Sequence, residues 1–251
     1  MCTLAVWGRV FADAPVIVAA NRDEFLARPS TPPAVLRSDP PRAFGGRDTQ
    51  AGGTWLGVGE TGLVVAMLNR RTTAPPDSAC RSRGQLCVEL LACGTATAAA
   101  ALVERQPAGR YNPFNAVIAD ATATFVASQP PGDPPRLFPL ERGLHLVTNL
   151  DVNDPTCPRI AGSRARFDAA AGPFGHDGNV PALVERLQAV LGDHATPMDP
   201  RDSESLCVHR GPYGTRSSSV IVVGGDGRPR HYFHAEGPPC RTPLAEVALP
   251  F

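Results

Sequence analysis

Residues 2–24 read CTLAVWGRVFADAPVIVAANRDE. Two apolar runs, CTLAVWG and PVIVAANRDE, flank a short RVFADA segment that carries Asp13 and leads into Pro15. Alternation and β-branched content predict two strands with a turn between them. The second run ends in four consecutive polar residues, Asn21, Arg22, Asp23 and Glu24. Strand parity puts Asn21 and Asp23 on one face and Arg22 and Glu24 on the other. If the two strands pair as a hairpin, the end of the second lies beside the start of the first, where Cys2 stands. Asn21 or Asp23 then falls within reach of the Cys2 amine.

That proximity gives Cys2 chemical meaning. Removal of Met1, expected when a small residue follows it, leaves a thiol and a free α-amine on one residue. The α-amine titrates at roughly 7.7–8 and can take the thiol proton without a catalytic histidine. A neighbouring carboxylate would hold the resulting ammonium. A cysteine near a terminus implies nothing alone; its polar company is what counts.

Working outward, residues 27–54 are rich in Pro, Gly and Arg and are expected to form a long ordered loop that sets specificity. TWLGVGETGLVVAMLNRR predicts a hairpin around Gly-Glu-Thr-Gly. From Ser82, leucines 86, 90 and 91 recur at helical spacing, Gly94 ends that helix, and an Ala-rich helix follows. Strand character resumes in NPFNAVIADATATFVAS and RLFPLERGLHLVTNL, with QPPGDPP as a turn. Helices are expected at 160–171 and 181–191, the latter with Pro in its first turn. SLCVHR and SSVIVVGGDGRPRHYFHA predict closing strands, the last two joined by Gly-Asp-Gly. Hairpin-joined strands imply antiparallel sheets, and helices bunched between strand blocks imply layers stacked on them. No internal repeat or domain boundary is evident, so residues 1–251 read as a single domain.

Composition narrows the function. With 251 residues and 43% hydrophobic content, the chain can bury a sizeable core. Its 24 basic and 24 acidic residues balance, which gives no electrostatic footprint for nucleic acid or an anionic membrane. No stretch approaches the roughly 20 apolar residues of a membrane span. Arg9 and Asp13 interrupt the N-terminus before a secretory h-region develops, so a cytoplasmic protein is expected. The seven cysteines are odd in number, which argues against a disulfide framework; no Cys-x-x-Cys pair exists, so no metal site is expected. His231 and His234, three apart on a strand, split between faces and read as ordinary histidines. Cys157 before Pro158 reads as a loop cysteine rather than a haem ligand. GGDGRPR lacks the strand–loop–helix setting of a phosphate cradle.

Together, MCT, the Asn21–Glu24 tetrad, GGTWLGV at 52–58 and YGTRSSS at 213–219 resemble the NRDE family, that of transport and Golgi organisation protein 2. The resemblance covers essentially the whole chain. More distantly, the layout is similar to N-terminal-nucleophile hydrolases such as choloylglycine hydrolases and penicillin V acylase. It implies a four-layer αββα sandwich of two antiparallel sheets, an α+β fold. It also implies a site: Cys2 as nucleophile, Asp23 holding its amine, Asn69 helping to bind an oxyanion, Asn149 holding the amine or the substrate, and Arg216 keeping thiolate and Asp23 in register. Where those hydrolases carry the Arg of Arg-Asn-x-Asp, this chain has Ala20, with Arg22 two residues on and on the same face.

Two functions follow from the resemblance. One is a hydrolase or acyltransferase acting on a small amide or thioester, without a cofactor. The other is a non-catalytic handling protein for haem or lipid and acyl-CoA. Either implies a small-molecule partner, with no nucleic acid and no membrane span.

Overall fold

The computed structural model describes residues 2–194 and 205–251. In chain order the first half forms β1 (Thr3–Gly8), β2 (Val16–Phe25), β3 (Ser30–Arg37), β4 (Ala43–Asp48), β5 (Leu56–Gly59) and β6 (Val64–Asn69), then α1 (Arg83–Leu91) and α2 (Ala96–Glu104). Next come β7 (Phe114–Ala119), β8 (Thr124–Gln129), β9 (Arg136–Pro139), β10 (Gly143–Val147), α3 (Pro158–Ala171), α4 (Phe174–Asp177) and α5 (Val180–Leu191). The chain closes with β11 (His209–Arg210), β12 (Tyr213–Val223), β13 (Pro229–Ala235) and β14 (Ala245–Glu246).

The strands make two seven-stranded antiparallel sheets. One runs β10-β1-β2-β12-β13-β14, with β11 added to β12; the other runs β3 to β9 in sequence order. Alternation decides the layers. Leu4, Val6, Val16 and Val18 face the second sheet and meet Val58, Val64, Ala66 and Val117 in a core between the sheets. Ala5, Trp7, Ile17 and Ala19 face outward onto α3 and α5, where Trp7 meets Phe167 edge-on at 6.0 Å between ring centroids. Val65, Met67 and Ile118 face the other way, onto α1 and α2. The result is the four-layer αββα sandwich expected above. No helix among the described residues is long and apolar enough to cross a membrane.

Three expectations need correction. Residues 27–54 are not one loop: they contain β3 and β4. Pro32 and Pro33 hid β3, yet it is the sheet's edge, where a missing N–H costs no ladder bond, and its pairing slips between Thr31 and Ala34. SLCVHR contributes only His209 and Arg210 to a strand. RLFPLERGLHLVTNL splits into β9 and β10, which belong to different sheets.

The hairpin turns 60–62 and 224–227 close one end of the sandwich. A Cβ on Gly62, at φ 81°, would lie 2.1 Å from the Gly227 carbonyl oxygen, so only glycine lets these turns touch. The start of β1, the end of β2, the start of β5, the end of β6 and the start of β12 share the other end.

Candidate functional site

At that open end Cys2 lines a cleft between the sheets with Ala20, Arg22, Trp55, Leu68 and Ser217. The cleft holds about 340 Å³ of empty space out to its mouth, but only about 20 Å³ of it can take the centre of a water-sized sphere. It is narrow.

The β1–β2 register pairs Thr3 with Asn21 and Leu4 with Ala20, which carries Cys2 to the Arg22–Asp23 end of β2. The Cys2 Sγ lies 3.8 Å from the Asp23 carbonyl oxygen. Burial pushes the thiol above its ordinary range; the N-terminal ammonium opposes this most, and Arg22 to a lesser degree.

Parity splits the tetrad by task. Asn21 faces the helices: its Nδ2 donates to the carbonyls of Leu191 and Leu206 at 2.9 and 2.8 Å, and its Oδ1 accepts from Ser218 Oγ at 2.6 Å. It is an architectural residue that ties β2 to the end of α5 and to β12.

Asp23 faces the same way and is buried. Its Oδ1 accepts from Thr215 Oγ1 at 2.7 Å and its Oδ2 from Arg159 Nη1 at 3.1 Å. Arg159 also donates to Thr3 Oγ1 at 2.8 Å, and Tyr213 donates its hydroxyl to the Asp23 carbonyl at 3.1 Å. Burial raises the Asp23 carboxyl above its usual range, against the opposing pull of Arg159 and Thr215.

Arg22 faces the cleft. Its guanidinium lies over the Trp55 ring, 4.1 Å from the centroid, and 4.0 Å from Asp48 Oδ2. Nη1 has no hydrogen-bond partner among the described residues. Burial lowers the affinity of Arg22 for its proton, and Glu24 works against that. Glu24 sits toward the rim, 3.9 Å from Arg28 and bonded to the Phe25 amide. Ala20 and Arg22 both line the cleft, and the cation stands at position 22.

The glycines of the GGTWLGV segment aim Trp55. Gly53, at φ 88°, packs so closely on Gly84 that a Cβ would meet its carbonyl carbon at 2.1 Å, and the Thr54 amide donates to the Gly84 carbonyl at 3.1 Å.

Asn149 follows β10, whose register with β1 pairs Val147 with Leu4; two residues on, Asn149 falls across from Cys2. Its Oδ1 is buried without a hydrogen-bond partner among the described residues, while its carbonyl accepts from the Arg71 amide at 2.8 Å and so links the two sheets at the mouth. Asn69 is exposed at the end of β6, next to Leu68 on the cleft wall. Arg216 sits at the bulge of β12 and pairs with Glu236 at 2.7 Å. The task expected of it, holding Asp23, is carried instead by Arg159 and Thr215.

Arg159, Thr215, Tyr213 and Trp55 were not singled out in the sequence. A signal for Arg159 exists: it shares the buried stripe of α3 with Ser163, Phe167 and Ala170, an odd place for an arginine without a buried partner. Cys157 is buried in the helix-side core. His231 bonds Glu246 at 2.6 Å, and His234 bonds Ser219 at 2.9 Å and Glu236 at 3.1 Å. Although no Cys-x-x-Cys spacing exists, His194, Cys207, His209 and Cys240 converge, none of them on the cleft wall.

Solved structures share this architecture. A Caenorhabditis elegans N-acylethanolamine-hydrolyzing acid amidase ortholog superposes with TM-score 0.60 at 16% identity, over 88% of this chain and 92% of its own. Penicillin V acylase from Agrobacterium tumefaciens gives TM-score 0.61 at 14% identity, over 94% of this chain and 84% of its own. The fold is that of the N-terminal-nucleophile hydrolases. Residues 1–234 match the Transport and Golgi organisation 2 family, and the chain belongs to it. The Bos taurus Transport and Golgi organization protein 2 homolog is 28% identical over 236 residues, covering 84% of this chain and 83% of its own; the Homo sapiens homolog is 26% identical over 235 residues, with the same shares.

Proposed function

We propose that the chain is an N-terminal-cysteine hydrolase or acyltransferase acting on a small amide or thioester. The observation that carries this reading is Cys2 in the inter-sheet cleft, flanked by the Arg22 cation and by an Asp23 carboxylate clamped between Arg159 and Thr215.

Once Met1 is removed, the α-amine of Cys2 takes the thiol proton. The thiolate attacks the substrate carbonyl carbon, and the tetrahedral adduct collapses as its amine or thiol leaving group accepts that proton from the ammonium. Water then cleaves the Cys2 thioester, giving up its proton to the α-amine; an acceptor amine or thiol in place of water makes the reaction a transfer. Burial alone disfavours the thiolate; the N-terminal ammonium is the main opposing charge, and Arg22 adds a smaller pull. Asp23 orients the ammonium. Asn69 at the rim and Asn149 across from Cys2 supply donors for the oxyanion and the substrate, each worth roughly 2.7–4 kcal/mol if aimed at the developing charge. The narrow cleft favours a small or slender acyl group.

The test is turnover of a panel of short acyl amides and acyl thioesters by processed protein. Hydrolysis abolished by Cys2→Ala supports the reading. Saturable binding of haem or acyl-CoA, without turnover and unchanged in Cys2→Ala, would move the protein to the handling function.

A further inference from the structure

Away from the cleft, four side chains with soft or borderline donors meet where three chain segments cross. His194 follows the end of α5, Cys207 and His209 lead into β11 and β12, and Cys240 lies between β13 and β14. One ligand atom from each lies within 4.8 Å of every other. The separations carry the argument. Cys207 Sγ is 3.6 Å from Cys240 Sγ and 3.6 Å from His209 Nε2, and Cys240 Sγ is 3.3 Å from His209 Nε2. A tetrahedral zinc with Zn–S near 2.3 Å and Zn–N near 2.0–2.1 Å demands edges of about 3.8 Å between sulfurs and about 3.5 Å between sulfur and nitrogen.

The fourth ligand is already oriented. His194 Nδ1 lies 3.0 Å from the Cys207 carbonyl, a bond that fixes the tautomer and leaves Nε2 to ligate, as metal-bound histidines commonly arrange. The His194 and His209 rings sit 5.1 Å apart between centroids. Among the described residues no carboxylate joins the cluster, and its thiolate and imidazole donors select a thiophilic divalent ion over calcium or magnesium.

We propose that His194, Cys207, His209 and Cys240 form a structural Cys2His2 site for zinc. All four positions are filled by protein, which makes the site a closed staple rather than a catalytic centre. Its location gives the staple a purpose. Val208, between two ligands, donates its amide to Thr215 Oγ1 at 2.9 Å, and that hydroxyl donates on to Asp23. The ion would pin the end of α5 and the segment after β13 to the strand that clamps Asp23.

Tag-free protein, purified under reducing conditions without chelator, should carry close to one zinc per chain by elemental analysis. Cobalt(II) added to stripped, reduced protein should give the thiolate charge-transfer and intense d–d bands of a tetrahedral site. Cys240→Ser and His209→Ala, both at exposed positions, should fold and lose that spectrum, whereas Cys2→Ala should keep it. Failure of reduced wild-type protein to take up cobalt or zinc, a spectrum unchanged in both ligand variants, or a Cys207–Cys240 disulfide in peptide maps of the reducing preparation would each overturn the site. None of these readouts depends on activity at Cys2.

Discussion

Arg159 reaches from the first turn of α3 to Asp23 on β2, with Nη1 3.1 Å from Oδ2 and both side chains buried. The same nitrogen donates to Thr3, so one guanidinium joins the helical layer to both strands that meet at Cys2. Arg159→Met would strand the Asp23 carboxylate, at a cost of about 3–5 kcal/mol. Urea unfolding should show that loss, and adding Asp23→Asn should recover part of it because no uncompensated charge remains. Equal losses in the single and double variants would refute the pairing. Losing the Arg159 cation lifts the Asp23 carboxyl further above its already raised range, so the deficit is full above the variant's folded pKa and shrinks as pH falls through it.

Arg22 is the cation that lines the cleft on the strand next to Cys2. Arg22→Gln should raise the thiol's apparent pKa slightly and slow its labelling at neutral pH by less than the roughly tenfold of a close opposite charge, because Arg22 is the weakest of the pulls on the thiol. Arg22→Lys should restore the rate only in part, since an ammonium cannot reproduce the planar stacking on Trp55. The pH profile of labelling by a cysteine-directed acyl probe separates the cases. A profile unchanged in Arg22→Gln would remove Arg22 from the site.

His234 is buried on the inter-sheet face, between Ser219 and Glu236. Burial lowers its pKa in the folded protein, with Glu236 opposing. The folded state therefore binds fewer protons than the unfolded state, and stability is lost as pH falls below roughly 6.5, the unfolded histidine value, toward the folded one. His145 and His209 shift in the same direction, so the informative quantity is the difference between wild type and His234→Gln. Denaturation midpoints from pH 7.5 to 5 should fall less steeply in the variant; parallel slopes would contradict the assignment.

Period-two alternation in CTLAVWG and PVIVAANRDE was enough to read the hairpin, and the tetrad's parity was enough to separate Asp23 from Arg22. Helices α1, α2, α3 and α5 were equally plain, because leucines at helical spacing and well-placed glycines and prolines report local structure; the single turn of α4 was not foreseen. What stayed hidden was non-local. Arg159 lies 136 residues from Asp23 and declares itself only through an apolar stripe it interrupts. Pro32 and Pro33 masked an edge strand whose free side tolerates them. The Cys2His2 cluster draws on residues from 194 to 240, so no short spacing could announce it. Arg216 was placed near Asp23 by resemblance, but the β12 bulge between Thr215 and Ser217 turns it toward Glu236.

The central claim concerns Cys2, and intact-mass spectrometry of the protein after incubation with an acyl thioester addresses it most directly. The expected spectrum shows Met1 absent and one acyl adduct, mapped to Cys2, missing from Cys2→Ala and slowed by Arg22→Gln. A chain that retains Met1, or adducts that map to Cys80 and Cys240 and persist in Cys2→Ala, would contradict an N-terminal nucleophile.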